Sequence, residues 1–323
     1  MKFLIAGAGA IGGYIGAKMT QAGADVTLFA RGPHLAAMQR SGLRIISADG
    51  NFEVQPRTVA SLKDAEPPDV IVLGVKAHGL TALASQIAPL IGKNTTVIST
   101  QNGIPWWFFQ FGEPSLHLER VDPGGVIAGA IPSRSVVGSL AYFSTDILEP
   151  GVIRHTDGDR LTLGEPDGSR SERVRALAAV IGKSGIRCPV TARLRHEIFV
   201  KLLGNVAFNP ISALTRATLV EMIQDPGVCG LIRDIMAEVE AIAHKLDMEL
   251  PVSIEQRIQG AEKMGPHKTS MLQDLEAGRP MELEPIVGAA LDLGERFGVP
   301  MPHTKSVYAC TRLLDSLARR ARA

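Results

Sequence analysis

The sequence predicts an α/β fold, with a doubly wound sheet in the N-terminal part and an all-helical C-terminal domain. Short apolar runs typical of buried parallel strands recur through the first half of the chain, and a glycine-rich turn follows the first of them. From residue 192 onward, helical periodicity replaces the strand signals. We therefore expect two domains, residues 1–191 and residues 192–323.

Composition narrows the class of protein. The 323 residues suffice for two hydrophobic cores, and 45% hydrophobic with 21% charged residues is ordinary for globular proteins. A net charge of +1 gives no reason to expect nucleic acid or a membrane surface as a partner. The few cysteines, Cys188, Cys229 and Cys310, lie far apart, and we see neither a signal peptide nor an apolar run near the roughly 18 residues of a membrane span. We expect a cytoplasmic protein.

The strongest motif follows the first predicted strand, Phe3–Ala6. It has the pattern G-x-G-x-x-G, opens a predicted helix, and consists of Gly7, Ala8, Gly9, Ala10, Ile11 and Gly12. Such a turn permits a tight bend, close approach of a pyrophosphate to the backbone, and close packing of helix on strand. The helix N-terminus adds N–H donors and partial positive charge. The motif indicates a Rossmann-type dinucleotide-binding domain.

The end of the second predicted strand, Val26–Ala30, bears on the choice of cofactor. NAD sites usually place an acidic residue there to hold the ribose 2′-hydroxyl, but this chain has Arg31. A guanidinium matches a 2′-phosphate with paired hydrogen bonds, so we predict NADP (NADPH). NAD, with Arg31 as a solvated surface charge, is the alternative.

Two further strands are predicted at Asp69–Val75 and at residues 95–103, and each leads into a polar residue. Lys76 follows the first, and Asn102 lies at the end of the second. Ligands of open α/β sheets lie beyond the carboxyl ends of strands, so both residues are candidates for cofactor binding, and Asn102 also for substrate binding. Capping of loop backbone groups is the alternative for each.

The segment after Asn102 is rich in aromatic residues and includes Trp106 and Trp107. It is expected to form a lid or a pocket wall, or else a packed loop or subunit contact; the sequence does not separate these. Short strands and a helix are predicted to follow and to complete the first domain, at Val136–Thr145, Gly151–His155, Leu161–Gly164 and Glu172–Lys183.

Helical periodicity in the second domain predicts helices at about 192–208, 226–247, 252–262, 282–298 and 303–321. In the first of these, Lys201, Asn205 and Asn209 are four residues apart and project along nearly one line. One cation and two amides beside an apolar stripe suit a cleft that binds an oxygen-rich small molecule. The alternative for Lys201 is a lysine that extends from an apolar helix into water.

Several segments together resemble ketopantoate reductase (2-dehydropantoate 2-reductase). They are GAGAIG at 7–12, NG at 102–103, EIFVKLLGNVAFNPISAL at 197–214, HKTSMLQDLEAGRPMELE at 267–284 and the Gly-Val-Pro-x-Pro tail at 298–302. The resemblance spans nearly the whole chain. It implies a Rossmann domain followed by a helical domain, and reduction of ketopantoate to (R)-pantoate with NADPH in pantothenate biosynthesis.

The resemblance also assigns roles by position. Lys201 matches the catalytic lysine of the family, Asn205 and Asn209 match substrate-binding asparagines, and Ser270 matches the serine that holds the substrate carboxylate. The family often has a third asparagine after the Asn-Pro element, where this chain offers only Thr218.

Acidic and interdomain positions follow from the same resemblance. Glu282 matches the acidic residue that the family places near the nicotinamide ribose and the reacting centre, and is a candidate catalytic residue. Glu284 is the alternative for that position. Lys76 and Asn102 match contacts to cofactor and substrate.

The predicted chemistry is hydride transfer to a 2-oxo acid, with Lys201 donating a proton to the oxygen as negative charge develops there. Burial is expected to lower the pKa of Lys201 and Glu282 to raise it, which leaves the amine mostly protonated at neutral pH. No metal is expected, because His196, His267 and His303 lack the spacing of metal ligands.

Two alternative functions stay open at this stage. One is an NADPH-dependent reductase of a different branched 2-oxo acid, and the other is a non-catalytic NADPH-binding sensor. Two-domain proteins of this kind often dimerise, so a homodimer is possible, but no residue fixes the stoichiometry.

Overall fold

The computed structural model describes residues 1–111 and 116–321 and divides the chain into two compact units. The first unit contains Met1–Gln101, the described residues of Trp106–His117, and Asp122–Leu194. The second contains Asn102–Pro105, Leu118–Val121 and Arg195–Ala323 as far as it is described. The first unit is α/β and the second helical, which confirms the predicted fold class.

The first unit is built on a nine-stranded sheet with the order β4-β3-β9-β8-β7-β6-β1-β2-β5. The six strands from β8 to the edge strand β5 are parallel, while the pairs β3–β4 and β8–β9 are antiparallel. The central strands are buried because helices pack on such sheets, which explains their continuous apolar runs. The strands are β1 (Lys2–Ala6), β2 (Asp25–Phe29), β3 (Leu43–Ser47), β4 (Phe52–Val54), β5 (Arg57–Val59), β6 (Val70–Leu73), β7 (Thr96–Ser99), β8 (Val136–Glu149) and β9 (Val152–Gly164).

Two of these strands are longer than predicted. The runs Gly151–His155 and Leu161–Gly164 belong to one strand, β9, and β8 continues to Glu149. The polar stretch between the two runs gave no strand signal. It is extended because it pairs with β8, with register shifts at Tyr142, Ser144 and Ile147.

Five α-helices occur in the described residues of the first unit. In α1 the small residues Gly13 and Gly16 allow close packing, since a Cβ there would lie 2.4 Å from Ile153 Cδ1 and 2.5 Å from Leu28 Cδ2, respectively. The helices are α1 (Ala10–Gln21), α2 (Gly32–Ser41), α3 (Ala77–Ile87), α4 (Val126–Ala130) and α5 (Glu172–Gly182).

The second unit is helical in its described residues. Asp225, directly before Pro226, caps the start of a helix by accepting a hydrogen bond from the Val228 N–H at 2.9 Å. Gly298 ends another helix with a left-handed φ of 66°. The sequence predicts both. The helices are α6 (Leu194–Thr215), α7 (Leu219–Gln224), α8 (Pro226–Lys245), α9 (Ile254–Lys263), α10 (Ser270–Glu276), α11 (Ala289–Phe297) and α12 (Pro302–Arg320), with a π-helical turn at Glu284–Gly288 before α11.

Helix α6 runs seven residues beyond its predicted end at residue 208 and contains Pro210. A proline inside a helix costs about 3 kcal/mol, and burial of the flanking residues Phe208, Ile211 and Ala213 offsets this. With 22 residues and a mean hydropathy of 1.3 over 18 of them, α6 is long and apolar enough to span a membrane, which the sequence reading did not anticipate. In the structure 72% of that window is buried, as in a core helix of a soluble fold.

The aromatic segment packs into the first unit. Trp107 and Phe108 are fully buried, and a Cβ on Gly138 would lie 2.5 Å from the Trp107 ring. Trp106 and Phe109 are also buried. The packed-loop interpretation therefore describes Trp106–Phe109; residues 112–115 of the segment lie outside the described residues.

Candidate active site

A lysine, an amide and a carboxylate form a hydrogen-bonded chain in the second unit. The Lys201 Nζ donates to Asn102 Oδ1 at 2.9 Å, and Asn102 Nδ2 donates to Glu282 Oε2 at 3.2 Å. The amide therefore presents its oxygen to the ammonium and its NH₂ group to the carboxylate. Glu282 is only 7% exposed, so its charge is held in a setting where the nearby cation matters strongly.

Asn102 is positioned by the π-helical turn that follows Glu282. The Ala289 N–H donates to the Glu284 carbonyl, one residue further back than in an α-helix, which leaves the Pro285 carbonyl available. That carbonyl accepts from the Ile104 N–H at 2.9 Å. It also lies 2.0 Å from where a Cβ on Gly103 would be, and Gly103 has a φ of 80°. Only glycine satisfies both conditions, and the carbonyl thus anchors the segment that carries Asn102.

Burial lowers the pKa of Lys201 from its ordinary 10.5 to about 8, because desolvation disfavours the ammonium. The Glu282 carboxylate opposes this shift and Arg257 adds to it. Ile198 and Leu202, close to Lys201 in the sequence of α6, are both almost fully buried. Both directions predicted from the sequence are confirmed, and at pH 7 roughly nine in ten of these amines carry the proton.

Glu282 and Glu284 point to different partners. Glu284 accepts from Arg120 Nη1 at 2.9 Å and from the Tyr308 hydroxyl at 2.8 Å. Arg120 also donates to Asp292 Oδ1 at 2.6 Å. This ion cluster joins the segment 118–121 to the helices that follow the π-helical turn. Of the two candidate acids, the structure therefore places Glu282 beside Asn102, and Glu284 in a structural ion cluster.

The remaining predicted substrate residues lie in the same unit. Asn205 and Asn209 follow Lys201 at helical spacing in α6, Asn205 partly exposed and Asn209 only 5% exposed. Ser270 is exposed at the first turn of α10. Thr218 precedes α7, and its hydroxyl donates to Glu221 at 2.6 Å, so capping already uses the group that was considered as a replacement for the third asparagine.

The glycine-rich turn in the first unit has room for a ligand. Gly7 has a φ of 111°, and a Cβ on Gly12 would lie 2.2 Å from the Gly7 carbonyl oxygen. By contrast, a Cβ on Gly9 would meet the Gly74 carbonyl oxygen only at 3.7 Å, an ordinary contact. The packing of the protein itself therefore requires glycine at positions 7 and 12, but not at position 9, at the N-terminus of α1. This arrangement fits a pyrophosphate.

Two positively charged residues, Arg31 and Lys76, lie near strand ends in the same unit. Arg31 follows β2, with its Cζ 5.0 Å from the Phe29 ring centroid and its Nη2 donating to Gln86 Oε1 at 3.2 Å. Lys76 precedes α3, two residues after Gly74, whose Cα would lie 3.0 Å from a Cβ on Gly12. Both residues therefore lie at the carboxyl edge of the sheet, as the sequence predicts.

Comparison with family models identifies the chain. A model described as "Ketopantoate reductase PanE/ApbA" matches residues 3–168, and its C-terminal counterpart matches residues 193–315. The chain belongs to the ketopantoate reductase family. Membership makes it an oxidoreductase, and the resemblance drawn from its motifs is confirmed.

Individual relatives agree with this family. A 2-dehydropantoate 2-reductase from Mesorhizobium japonicum is 47% identical, covering 97% of this chain and 98% of the relative. A solved structure described as a candidate ketopantoate reductase, from Ralstonia solanacearum, has a TM-score of 0.93 at 37% identity and covers 99% of this chain and 98% of its own. A D-mandelate dehydrogenase solved with NADH and anilino(oxo)acetate has a TM-score of 0.85, covering 98% of this chain and 99% of its own. Its 22% identity shows the shared fold alone.

No cluster of potential metal ligands occurs in the described residues, and one of the histidines considered, His303, has a structural contact. His303 Nδ1 lies 2.9 Å from Glu238 Oε1, and Glu238 also accepts from the His303 and Thr304 backbone N–H groups. The buried carboxylate thereby caps the N-terminus of α12. In this member of the ketopantoate reductase family, His303 is thus part of a helix cap.

Sequence reasoning missed two arginines near the candidate site. Arg120 holds the segment 118–121, and Arg257 in α9 lies close enough to lower the pKa of Lys201. Neither belongs to a recognisable motif. Arg257 is 56 residues from Lys201 in the chain, so only the packing of α9 reveals its proximity.

Proposed function

We propose that the protein reduces 2-dehydropantoate (ketopantoate) to (R)-pantoate with NADPH, and that Lys201 is the general acid. The observation that carries the proposal is the Lys201 ammonium, largely buried, hydrogen-bonded to Asn102 and facing the charge of Glu282. The name of the Mesorhizobium relative, 47% identical over nearly its whole length, supports the choice of substrate.

Reduction of a ketone places negative charge on the carbonyl oxygen. An ammonium that is already partly buried and held by a hydrogen bond stabilises this charge better than water does. Its pKa of about 8 makes Lys201 a strong enough acid to transfer its proton to the oxygen and yet leaves it protonated at neutral pH. Lys201 then regains a proton from solvent.

Asn102 and Glu282 prepare the lysine for this step. The amide oxygen fixes the direction of Nζ, and the carboxylate keeps the amine from losing its proton too easily. Asn205, Asn209 and Ser270 are proposed to bind the polar groups of the substrate.

The first unit is proposed to hold the cofactor. The Gly7–Gly12 turn and the N-terminus of α1 would bind the pyrophosphate, Arg31 the 2′-phosphate, and Lys76 a phosphate or ribose. When bound, NADPH supplies the hydride. Arg31 favours NADPH over NADH because its guanidinium pairs with a phosphate, whereas no acid stands at the end of β2 to hold a free 2′-hydroxyl.

The direct test is a substrate panel. The purified protein is mixed with ketopantoate, 2-oxoisovalerate or 2-oxoglutarate, and the absorbance of NADPH or NADH is followed. We expect the highest kcat/KM for ketopantoate with NADPH. A higher value for another 2-oxo acid would identify a different reductase, and NADPH binding without oxidation by any ketone would identify a sensor.

We also propose that the reaction takes place in the cytoplasm, consistent with three free cysteines. A homodimer is proposed only as the assembly to test, by light scattering.

A further inference from the structure

Arg257 approaches the candidate site through a gap in helix α6. Its Nη2 lies 2.4 Å from where a Cβ on Gly204 would be, and its Cζ and Nε lie 3.1 Å from that point. The guanidinium therefore rests against the backbone of α6, in space that any other residue at position 204 would fill. Gly204 lies three residues after Lys201 and directly before Asn205, so the guanidinium is beside the row of proposed substrate residues.

Placing glycine inside a helix costs about 1 kcal/mol relative to alanine. At Gly204 the absence of a side chain leaves the space that the Arg257 guanidinium occupies. The charge of Arg257 is felt at the amine, since it lowers the pKa of Lys201. Without a ligand, the repulsion between Arg257 and the Lys201 ammonium is unfavourable. An anion bound between these two cations would turn that repulsion into attraction of both to the anion.

An anion beside Lys201 would be near a second cation, Arg257. Lys201 and Arg257 carry two positive charges, and Glu282 is the carboxylate that raises the pKa of Lys201. A 2-oxo acid carries its carboxylate on the carbon next to the ketone. A molecule whose ketone oxygen meets Lys201 therefore brings its carboxylate to the immediate neighbourhood of the amine. A guanidinium suits that group because its paired N–H donors match the two oxygens.

We propose that Arg257 binds the carboxylate of the substrate and thereby selects 2-oxo acids over uncharged ketones. This inference rests on the proposed function. It adds a charged partner to Ser270, which is exposed and neutral, and it gives this chain a donor where Thr218 is engaged with Glu221.

The test compares ketopantoate with its methyl ester, an uncharged ketone. We expect Arg257→Met to raise KM for ketopantoate about 10- to 100-fold, the usual effect of losing a hydrogen bond to a charged group, with little change in kcat. KM for the ester should stay at its wild-type value. Arg257→Lys keeps the charge but not the paired donors, so its KM for ketopantoate should lie between the values for the wild type and for Arg257→Met.

A second readout concerns the pH profile. Because Arg257 lowers the pKa of Lys201 and Glu282 raises it, Arg257→Met should move the high-pH fall of kcat/KM for the ester to higher pH. An unchanged profile would mean that the charge of Arg257 does not act on the amine, and would contradict the proposal. The difference between acid and ester, and not this shift, separates carboxylate binding from a purely structural role.

Gly204→Ala tests the same idea without touching the arginine. The added methyl would displace the mobile end of Arg257, so KM for ketopantoate should rise. The matched control is Gly260→Ala in α9, where nothing lies within 4 Å of the new Cβ, and KM should be unchanged.

Equal losses for acid and ester in Arg257→Met, or an unchanged KM for the acid, would overturn the proposal. Failure of the proposed function gives a different result: the wild-type protein would then reduce another 2-oxo acid more efficiently, or no ketone at all. If the wild-type protein reduces no ketone, calorimetry of ketopantoate binding still tests the inference. The inference requires weaker binding to Arg257→Met than to the wild type, and absence of binding to the wild type would refute it.

Discussion

Lys201 shows how a single side chain acquires its chemistry from its surroundings. A free lysine amine is a weak acid with a pKa of 10.5, and burial in α6 brings that pKa to about 8. Desolvation and Arg257 lower it, while Glu282 limits the decrease. The result is an amine that is mostly charged at neutral pH, as the proposed proton donor to a developing alkoxide must be.

Removing the amine tests this role. Lys201→Ala should lower kcat by about 10²- to 10³-fold, because one preorganised transition-state donor is lost. NADPH should still bind, with its dissociation constant measured by fluorescence titration. Lys245→Ala, at an exposed lysine at the end of α8, is the control and should retain full turnover. Wild-type turnover by Lys201→Ala would remove Lys201 from the mechanism.

The same amine predicts a pH dependence. The protonated form is the proposed acid, so kcat/KM, which reports the protein without ligand, should be steady below about pH 8 and fall tenfold per pH unit well above it. Lys201→Arg cannot lose its proton in this range, so any residual activity should lack that fall. Stopped-flow measurement of the hydride step across pH 6 to about 10 separates chemistry from product release. A profile that stays flat to pH 10 would contradict the assignment.

At the scale of elements, the π-helical turn Glu284–Gly288 links backbone geometry to the site. Its shifted hydrogen bond frees the Pro285 carbonyl, which then fixes Ile104 and crowds Gly103. Asn102 is the residue directly before Gly103. The direction of the amide between Lys201 and Glu282 therefore depends on one backbone carbonyl of a distant helix.

A methyl group at Gly103 should disturb this arrangement. In Gly103→Ala the new Cβ would lie 2.0 Å from the Pro285 oxygen, so the backbone must move and Asn102 with it. We expect kcat to fall by about 10²-fold, as for a displacement of about 1 Å in a catalytic group.

Gly23→Ala is the matched control for that variant. Gly23 has the same φ of 80°, with nothing within 4 Å of an added Cβ. It should lose about 1–2 kcal/mol of stability in denaturant titration and keep its kcat. Equal kcat in the two variants would show that the contact with Pro285 does not matter.

At the scale of the whole molecule, the chain divides its tasks between two units with separate cores. The first carries the glycine-rich turn, Arg31 and Lys76, and the second carries Lys201, Glu282 and, unexpectedly, Asn102. The second unit is assembled from three separate stretches of the chain, two of them only four residues long. Asn102 and Arg120 belong to those short stretches.

Because the glycine-rich turn and Arg31 belong to the first unit, NADPH is predicted to bind and protect that unit. At a concentration of 100 times its dissociation constant, NADPH should raise the unfolding free energy by about 2.7 kcal/mol. In hydrogen exchange the added protection should include residues 7–12 and the start of α2. Gly9→Ala should melt like the wild type without ligand, because its Cβ meets only an ordinary contact, but should lose the NADPH-dependent shift.

Gly129→Ala, where nothing lies within 4 Å of the added Cβ, is the control and should keep the shift. A Gly9→Ala protein that is stabilised by NADPH as strongly as the wild type would exclude the turn as the pyrophosphate site.

The sequence by itself determined the fold class, the family and the row of Lys201, Asn205 and Asn209, since these follow from local periodicity and from motifs of adjacent residues. Helix α6 was predicted to end at residue 208, because propensity counts Pro210 but not the burial of Ile211 and Ala213 that outweighs it.

Tertiary structure alone decided which acid faces the lysine and what else surrounds it. Glu282 and Glu284 are two residues apart and identical in type, and only the positions of Asn102 and Arg120 distinguish them. Arg257 reaches α6 because Gly204 leaves space for it, which is a contact between residues far apart in the chain. Desolvation and charge act through space, so the pKa of Lys201 is a property of the folded unit and not of its neighbours in sequence.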